Sequence, residues 1–186
     1  MLGKVFGRYF SSQAGKRVGF IGLGNMGYPM VHNLIKNGYT VTAFDLNKVQ
    51  LEKAEKVGAV IASDVKQATV DNDIVLTMLP NTEIVRSVRE GKDGIFQNAK
   101  EGALIMDSST IDPGDSKQMA DYGESLGFMM ADAPCSGGDM GARAGTLTFM
   151  LGCRNENLDY VKEFLLGMGN KIVHVGDPGK GHLSKI

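Results

Sequence analysis

The stretch "VGFIGLGNMGYPMVHNLIKNGYTVTAFD", residues 18–45, decides the fold. A short apolar run leads into Gly22, Gly24 and Gly27, which together spell G-x-G-x-x-G. Met30, Leu34 and Ile35 follow at helical spacing with Gly38 as a stop, and "TVTAFD" returns to a strand ending on Asp45. A glycine motif alone is weak, but strand, turn, helix and strand in this order give it the setting of a dinucleotide cradle. Gly22 permits the tight turn, Gly24 lets a diphosphate approach the backbone, and Gly27 lets the helix pack closely on the strand. Gly22, Leu23, Gly24, Asn25, Met26 and Gly27 are therefore the expected phosphate-binding residues, with free N–H groups and the positive helix end facing the anion. Pro29 falls near the first helical turn, where a missing N–H matters little. Asp45 lies about 20 residues beyond the glycines, at the place of the ribose acceptor. Its carboxylate suits the ribose hydroxyls and repels a 2′-phosphate, so NAD is expected over NADP.

Outward from this unit, apolar runs keep alternating with amphipathic stretches. Asn47 is placed to cap a helix carrying Leu51 and Ala54. "DIVLTMLP" and "ALIMDSS" are continuous apolar runs of the kind buried on both faces of a sheet. Ile84, Val85 and Val88 give a helical face between them, and Asp112 with Pro113 makes a good helix start. Strand-like "FMMADAP", "TLTFMLG" and "KIVHV" complete the series, with a helix carrying Leu158, Val161, Phe164 and Leu165 before the last. Alternating βα units predict an α/β fold with a Rossmann-type, doubly wound, mostly parallel sheet.

Composition narrows the function classes. The 186 residues suffice for one well-buried domain, with 42% hydrophobic and 22% charged residues, ordinary values for a globular chain. A net charge of −1 gives no support to a nucleic-acid or acidic-lipid partner, and no apolar run reaches the ~20 residues that span a bilayer. Cys135 and Cys153 lie in no metal or redox spacing, and His32, His174 and His182 share no ligand spacing, so no metal is expected. The three histidines read as structural or surface residues. The 11 methionines read as adaptable core filler.

The first 44 residues contain no Asp or Glu. Leu2, Val5, Phe6 and Tyr9 share one helical face, with Lys4 and Arg8 opposite. An acid-free, Arg-containing amphipathic start resembles a mitochondrial presequence, and "RYFSS" (8–12) looks like a cleavage site leaving Ser11 near the mature start. Residues 1–10 are therefore expected to be a presequence directing the protein to the mitochondrial matrix; a basic tail is the alternative.

Three segments carry a closer resemblance: "GLGNMGYPM" (22–30), "DAPCSGGDMGARAGTLTFM" (132–150) and "GKGHLSK" (179–185). Occurring in this order, they resemble the β-hydroxyacid dehydrogenase family over nearly everything beyond the presequence. The resemblance implies NAD-dependent oxidation of a small hydroxyacid, with 3-hydroxyisobutyrate of valine breakdown as the first expected substrate and a homo-oligomeric full-length protein. It implies that Leu79, Pro80 and Thr110 line the nicotinamide side of the cofactor. Ser136, Gly137 and Gly138 match the loop that holds the substrate carboxylate, and Lys185 matches the catalytic lysine. A Ser-Gly-Gly loop has the hydroxyl and closely spaced N–H groups of a carboxylate nest, though a plain turn fits the same residues. A lysine beside the reacting oxygen takes its proton when burial or a nearby positive ring weakens its hold on its own. Cys135 has no visible base and reads as a small buried hydrophobe.

Family members continue past this lysine into an interdomain helix and an all-helical domain. The expected division is thus presequence at 1–10, an NAD-binding domain at 11–178, and the start of a truncated interdomain helix at 179–186. Lys185 is expected on a fraying end, since short helices persist only where packing holds them. Two readings follow: a dehydrogenase of a small hydroxyacid, 6-phosphogluconate-type and glyoxylate-reducing relatives being the family alternatives, or an NAD-binding module without turnover.

Overall fold

The computed structural model describes residues 15–185, so the expected presequence lies outside the described residues. The chain runs β1 (Arg17–Ile21), α1 (Gly27–Lys36), β2 (Thr40–Phe44), α2 (Lys48–Lys56), β3 (Val60–Ile61), α3 (Val65–Thr69) and β4 (Ile74–Thr77). Next come α4 (Thr82–Glu90), α5 (Ile95–Asn98), β5 (Leu104–Asp107), α6 (Pro113–Ser125), β6 (Met129–Asp132) and β7 (Cys135–Ser136). The last part holds α7 (Gly138–Ala144), β8 (Leu147–Cys153), a 3-10 turn (Asn155–Asn157), α8 (Leu158–Leu165), β9 (Gly169–Gly176) and α9 (Lys180–Lys185).

The strands form one sheet in the order β3-β2-β1-β4-β5-β6-β8-β7, with β9 also paired to β8. β1 through β6 are mutually parallel, β8 is antiparallel to β6 and β7, and β9 is parallel to β8. The chain winds from β1 outward to β3, then returns to lay β4 on the other side of β1. That reversal opens a crevice at the carboxyl ends of β1 and β4, where ligands bind in sheets of this kind.

Successive strand residues serve opposite faces. Ile74, Leu76, Leu104 and Met106 join the core under α1 and α8, whereas Val75 and Ile105 join the core under α3, α5 and α6. A strand buried on both sides has to be apolar throughout, which is why β4 and β5 read as unbroken runs. Each fully buried Leu, Ile or Phe contributes roughly 1.5–3 kcal/mol of transfer free energy. Asn47, Asp64, Asn81 and Asp112 cap α2, α3, α4 and α6 by accepting from backbone N–H groups two or three residues on.

Candidate functional site

The glycine turn leaves the carboxyl end of β1. Gly22 has φ +100°, and a Cβ there would strike the Met78 carbonyl oxygen of the neighbouring strand's exit. A Cβ on Gly27 would overlap the Gly22 carbonyl oxygen, so helix and turn touch backbone to backbone. At Gly24 a Cβ would meet nothing within 4 Å, so this side of the turn is open. No side chain caps α1, and no acidic residue lies in its first turn. The contrast with the four Asx-capped helices leaves the α1 end suited to an external anion.

Asp45 is held beside this turn. Its Oδ2 accepts from the Leu23 N–H at 2.6 Å and its Oδ1 from the Asn47 N–H at 2.7 Å. A carboxylate has about four acceptor positions, so capacity remains for two hydroxyls of a ribose. The crevice widens into a cavity of about 820 Å³ lined by residues including Gly22, Asp45, Val65, Leu79, Pro80 and Ile84. Ile84 is thus half in the crevice wall, while Val85 alone of the expected α4 face is fully buried. Open turn, uncapped helix, oriented carboxylate and a cavity of dinucleotide scale together fit NAD.

A second group of residues lies at the carboxyl ends of β4, β5 and β6. The Thr77 and Ser109 hydroxyls donate to Asp107 Oδ1 at 2.6 and 2.7 Å, and the Ser109 Oγ in turn accepts from the Leu79 N–H at 2.8 Å. These bonds tie the exit of β4, with Leu79 and Pro80, to the exit of β5, with Thr110. Lys185 Nζ donates to Thr110 Oγ1 at 2.8 Å. Thr110, Lys185, Gly24 and the Ser136–Gly138 segment do not line the cavity itself.

Ser136 and Gly138 are not simple loop residues. Ser136 ends β7, paired with Thr148, and Gly138 opens α7. Gly137 (φ +127°) and Gly138 (φ +60°) make the sharp corner between them, a backbone path that side-chain-bearing residues rarely follow. The helix starting there is fixed by Asn33 of α1, whose Nδ2 donates to the carbonyls of Ala142 and Pro29.

Nor is Lys185 on a loose end. Its helix is anchored by His182, 1% exposed, and by Asp132, whose Oδ1 and Oδ2 accept from the N–H groups of Gly179 and His182 at 2.6 and 2.7 Å. The His182 ring lies between Asp132 (Nδ1 to Oδ2, 3.0 Å) and Asp107 (Nε2 to Oδ2, 3.4 Å). Burial pushes the imidazolium down, but the bonds and charges of Asp107 and Asp132 outweigh it and raise His182 to about 9. Burial likewise pushes Asp107 up, and His182, Arg89 and Thr77 together hold it below the usual carboxylate range. Arg89, 2% exposed, completes this buried set as a second cation within electrostatic reach of both carboxylates. Histidine spacing alone gave His182 no role; the available signal was an Asp closing each of two wholly apolar strands, where water cannot solvate it.

Burial pushes the Cys135 thiol up and Cys153 to about 11, so neither is primed as a nucleophile. Among the described residues no His, Cys, Asp and Glu cluster has an arrangement that would hold a metal, and no helix is long and apolar enough to cross a membrane.

A family model described as the NAD binding domain of 6-phosphogluconate dehydrogenase matches residues 17–176. The chain belongs to this family. Relatives within it include a probable mitochondrial 3-hydroxyisobutyrate dehydrogenase of Dictyostelium discoideum, 42% identical over 96% of this chain and 56% of its own. The 2-(hydroxymethyl)glutarate dehydrogenase of Eubacterium barkeri is 40% identical over 91% of this chain and 56% of its own. Among solved structures, Mycobacterium tuberculosis 3-hydroxyisobutyrate dehydrogenase with L-serine superposes with a TM-score of 0.87 at 37% identity, covering 92% of this chain and 58% of the other. The chain spans little more than half the length of these relatives. The mostly parallel Rossmann-type sheet and the NAD-binding character of the family agree with the fold and cofactor expected from the sequence.

Proposed function

We propose that this chain is the cofactor-binding and proton-transferring part of an NAD-dependent dehydrogenase that oxidises 3-hydroxyisobutyrate to methylmalonate semialdehyde, in the valine breakdown of the mitochondrial matrix. The observation that carries this reading is the Lys185–Thr110 contact of 2.8 Å, at the same carboxyl edge of the sheet as the glycine turn. The backbone of Gly22, Leu23, Gly24, Asn25, Met26 and Gly27 holds the diphosphate, and Asp45 holds the adenosine ribose. Leu79, Pro80 and Thr110 flank the nicotinamide, and NAD, when bound, supplies the hydride acceptor. Ser136, Gly137 and Gly138 receive the substrate carboxylate through a hydroxyl and backbone N–H groups. Lys185 accepts the proton leaving the substrate hydroxyl as the carbonyl forms, and Thr110 orients its Nζ. In the reverse direction the same ammonium polarises the carbonyl. The 3-hydroxyisobutyrate dehydrogenases among the relatives support this substrate; 2-(hydroxymethyl)glutarate, named with another relative, and L-serine, named with one of those 3-hydroxyisobutyrate dehydrogenases and with a separate L-serine dehydrogenase, are the competing acids.

The test is NADH formation by the protein that carries this chain, supplied with each of the three acids. The highest kcat/KM is expected with 3-hydroxyisobutyrate, and Lys185→Met should lower kcat by about 10²–10⁴ while NAD still binds. Preference for another acid would reassign the substrate. NAD binding without turnover on any short hydroxyacid would leave a dinucleotide-binding module and reject the dehydrogenase.

A further inference from the structure

His182 faces acceptors with both ring nitrogens. Nε2 lies 3.0 Å from the Ser109 carbonyl oxygen, which can only accept, and 3.4 Å from Asp107 Oδ2. Nδ1 lies 3.0 Å from Asp132 Oδ2 and 2.9 Å from Ser116 Oγ. A neutral imidazole carries one N–H and one bare nitrogen, so one of these contacts would set a lone pair against a carboxylate. An imidazolium removes that clash: it turns an N–H toward Asp132 Oδ2 as well as toward the Ser109 carbonyl, and it sets a positive charge beside Asp107 Oδ2, a buried oxygen with no hydrogen-bond partner. It also balances the interior, because Asp107 and Asp132 are then matched by Arg89 and His182, whereas a neutral ring would leave an excess negative charge among buried groups.

The charged groups around the ring come from several elements. β5 supplies Asp107, β6 supplies Asp132, and α4 supplies Arg89. On α6, Ser116 faces the ring while Lys117 is paired with Asp121. β8 carries no charged residue; on β9, His174 contacts the Cys153 carbonyl instead. The N-terminal end of α9 is close against the sheet: a Cβ on Gly181 would come within 2.6 Å of the Asp132 carbonyl oxygen and 2.8 Å of its Oδ2. Three residues beyond His182 on the same short helix is Lys185, on Thr110.

We propose that His182 is a positioning residue: held as an imidazolium between Asp107 and Asp132, it anchors α9 to the carboxyl ends of β5 and β6 and thereby sets where the Lys185 ammonium lies. For its catalytic meaning this rests on Lys185 being the acid/base of the proposed reaction; the anchoring itself is read without turnover. A six-residue helix has almost no stability of its own, so its placement depends on such contacts.

The experiment is nitrogen-15 NMR of the histidine rings in this chain, paired with hydrogen exchange of the α9 amides from pH 6.5 to 10. Both His182 nitrogens are expected to carry protons at pH 7. Once corrected for intrinsic exchange, α9 protection should fall progressively as the pH rises from about 6.5 and level off above about 9. In His182→Gln the same amides should lose protection at least tenfold at pH 7 and lose this pH dependence, while amides of β1 and α1 and the affinity for NAD stay as in the native chain. A ring with one bare nitrogen at pH 7 would overturn the proposal, as would undiminished α9 protection in His182→Gln. The ring measurement needs no variant, so it decides even if that substitution prevents folding. If α9 loosens as expected yet Lys185→Met turns over normally in the protein that carries this chain, the catalytic reading of Lys185 fails while the anchoring stands.

Discussion

At the scale of single residues, Gly27 and Asp45 are the positions on which the proposed cofactor site depends most. Gly27→Ala forces a methyl group into the Gly22 carbonyl, which only a shift of turn or helix can relieve. NAD affinity is therefore expected to fall at least tenfold in a calorimetric titration, with the fold retained. Asp45→Ala removes the proposed ribose acceptor and a charge expected to repel a 2′-phosphate, so NAD should bind more weakly and any preference over NADP should narrow. Unchanged selectivity would mean that the ribose is read elsewhere. The placement of Gly27 and Asp45 beside the β1–α1 turn was legible in the sequence because it is local: the glycine spacing and the end of the next strand are enough to locate it. His182 was not, because its partners Asp132 and Ser109 are 50 and 73 residues away and meet it only in the folded sheet.

At the scale of elements, caps and apolar faces decide how much each helix adds. Asn81 Oδ1 accepts from the Ile84 N–H at 2.9 Å, and Asn81→Ala should cost about 1 kcal/mol in chemical denaturation. Phe164 of α8 is fully buried, edge-on to Tyr39 with 5.5 Å between ring centroids, and Phe164→Ala should cost ~3–5 kcal/mol. A loss below 1 kcal/mol there would mean that the packing between α8 and the sheet is not as described. The long strands and the capped helices follow from periodicity and capping residues. β3, α3 and α5 are two, five and four residues long, too short to show a period. α7 begins on two positive-φ glycines that read as a turn, and the Asn33 bond that secures its end comes from a distant helix.

Across the whole molecule, the buried ion set links stability to pH in two directions. His182 is raised from the ordinary histidine value of 6.5 to about 9, so its contribution is complete below about 6.5 and is lost as pH rises through 9. Asp107 is depressed, so its contribution is present above the ordinary carboxylate range near 4 and is lost as pH falls through its lower folded value. Thermal midpoints measured from pH 4 to 10 should be highest on the mildly acidic side, below about 6.5, and decline as the pH rises from there through 9, and His182→Gln should flatten that decline. A native midpoint that rises between pH 7 and 10 would contradict the assignment. The winding order that brings β1 beside β4 is also a whole-molecule property: alternating βα units predicted it as a class, and the sheet order gives the crevice its position. A calorimetric titration of the chain with NAD and with NADP tests that crevice as a dinucleotide site most directly. One molecule of NAD should bind per chain, at least tenfold tighter than NADP; no saturable heat, or equal affinity for the two, would contradict it.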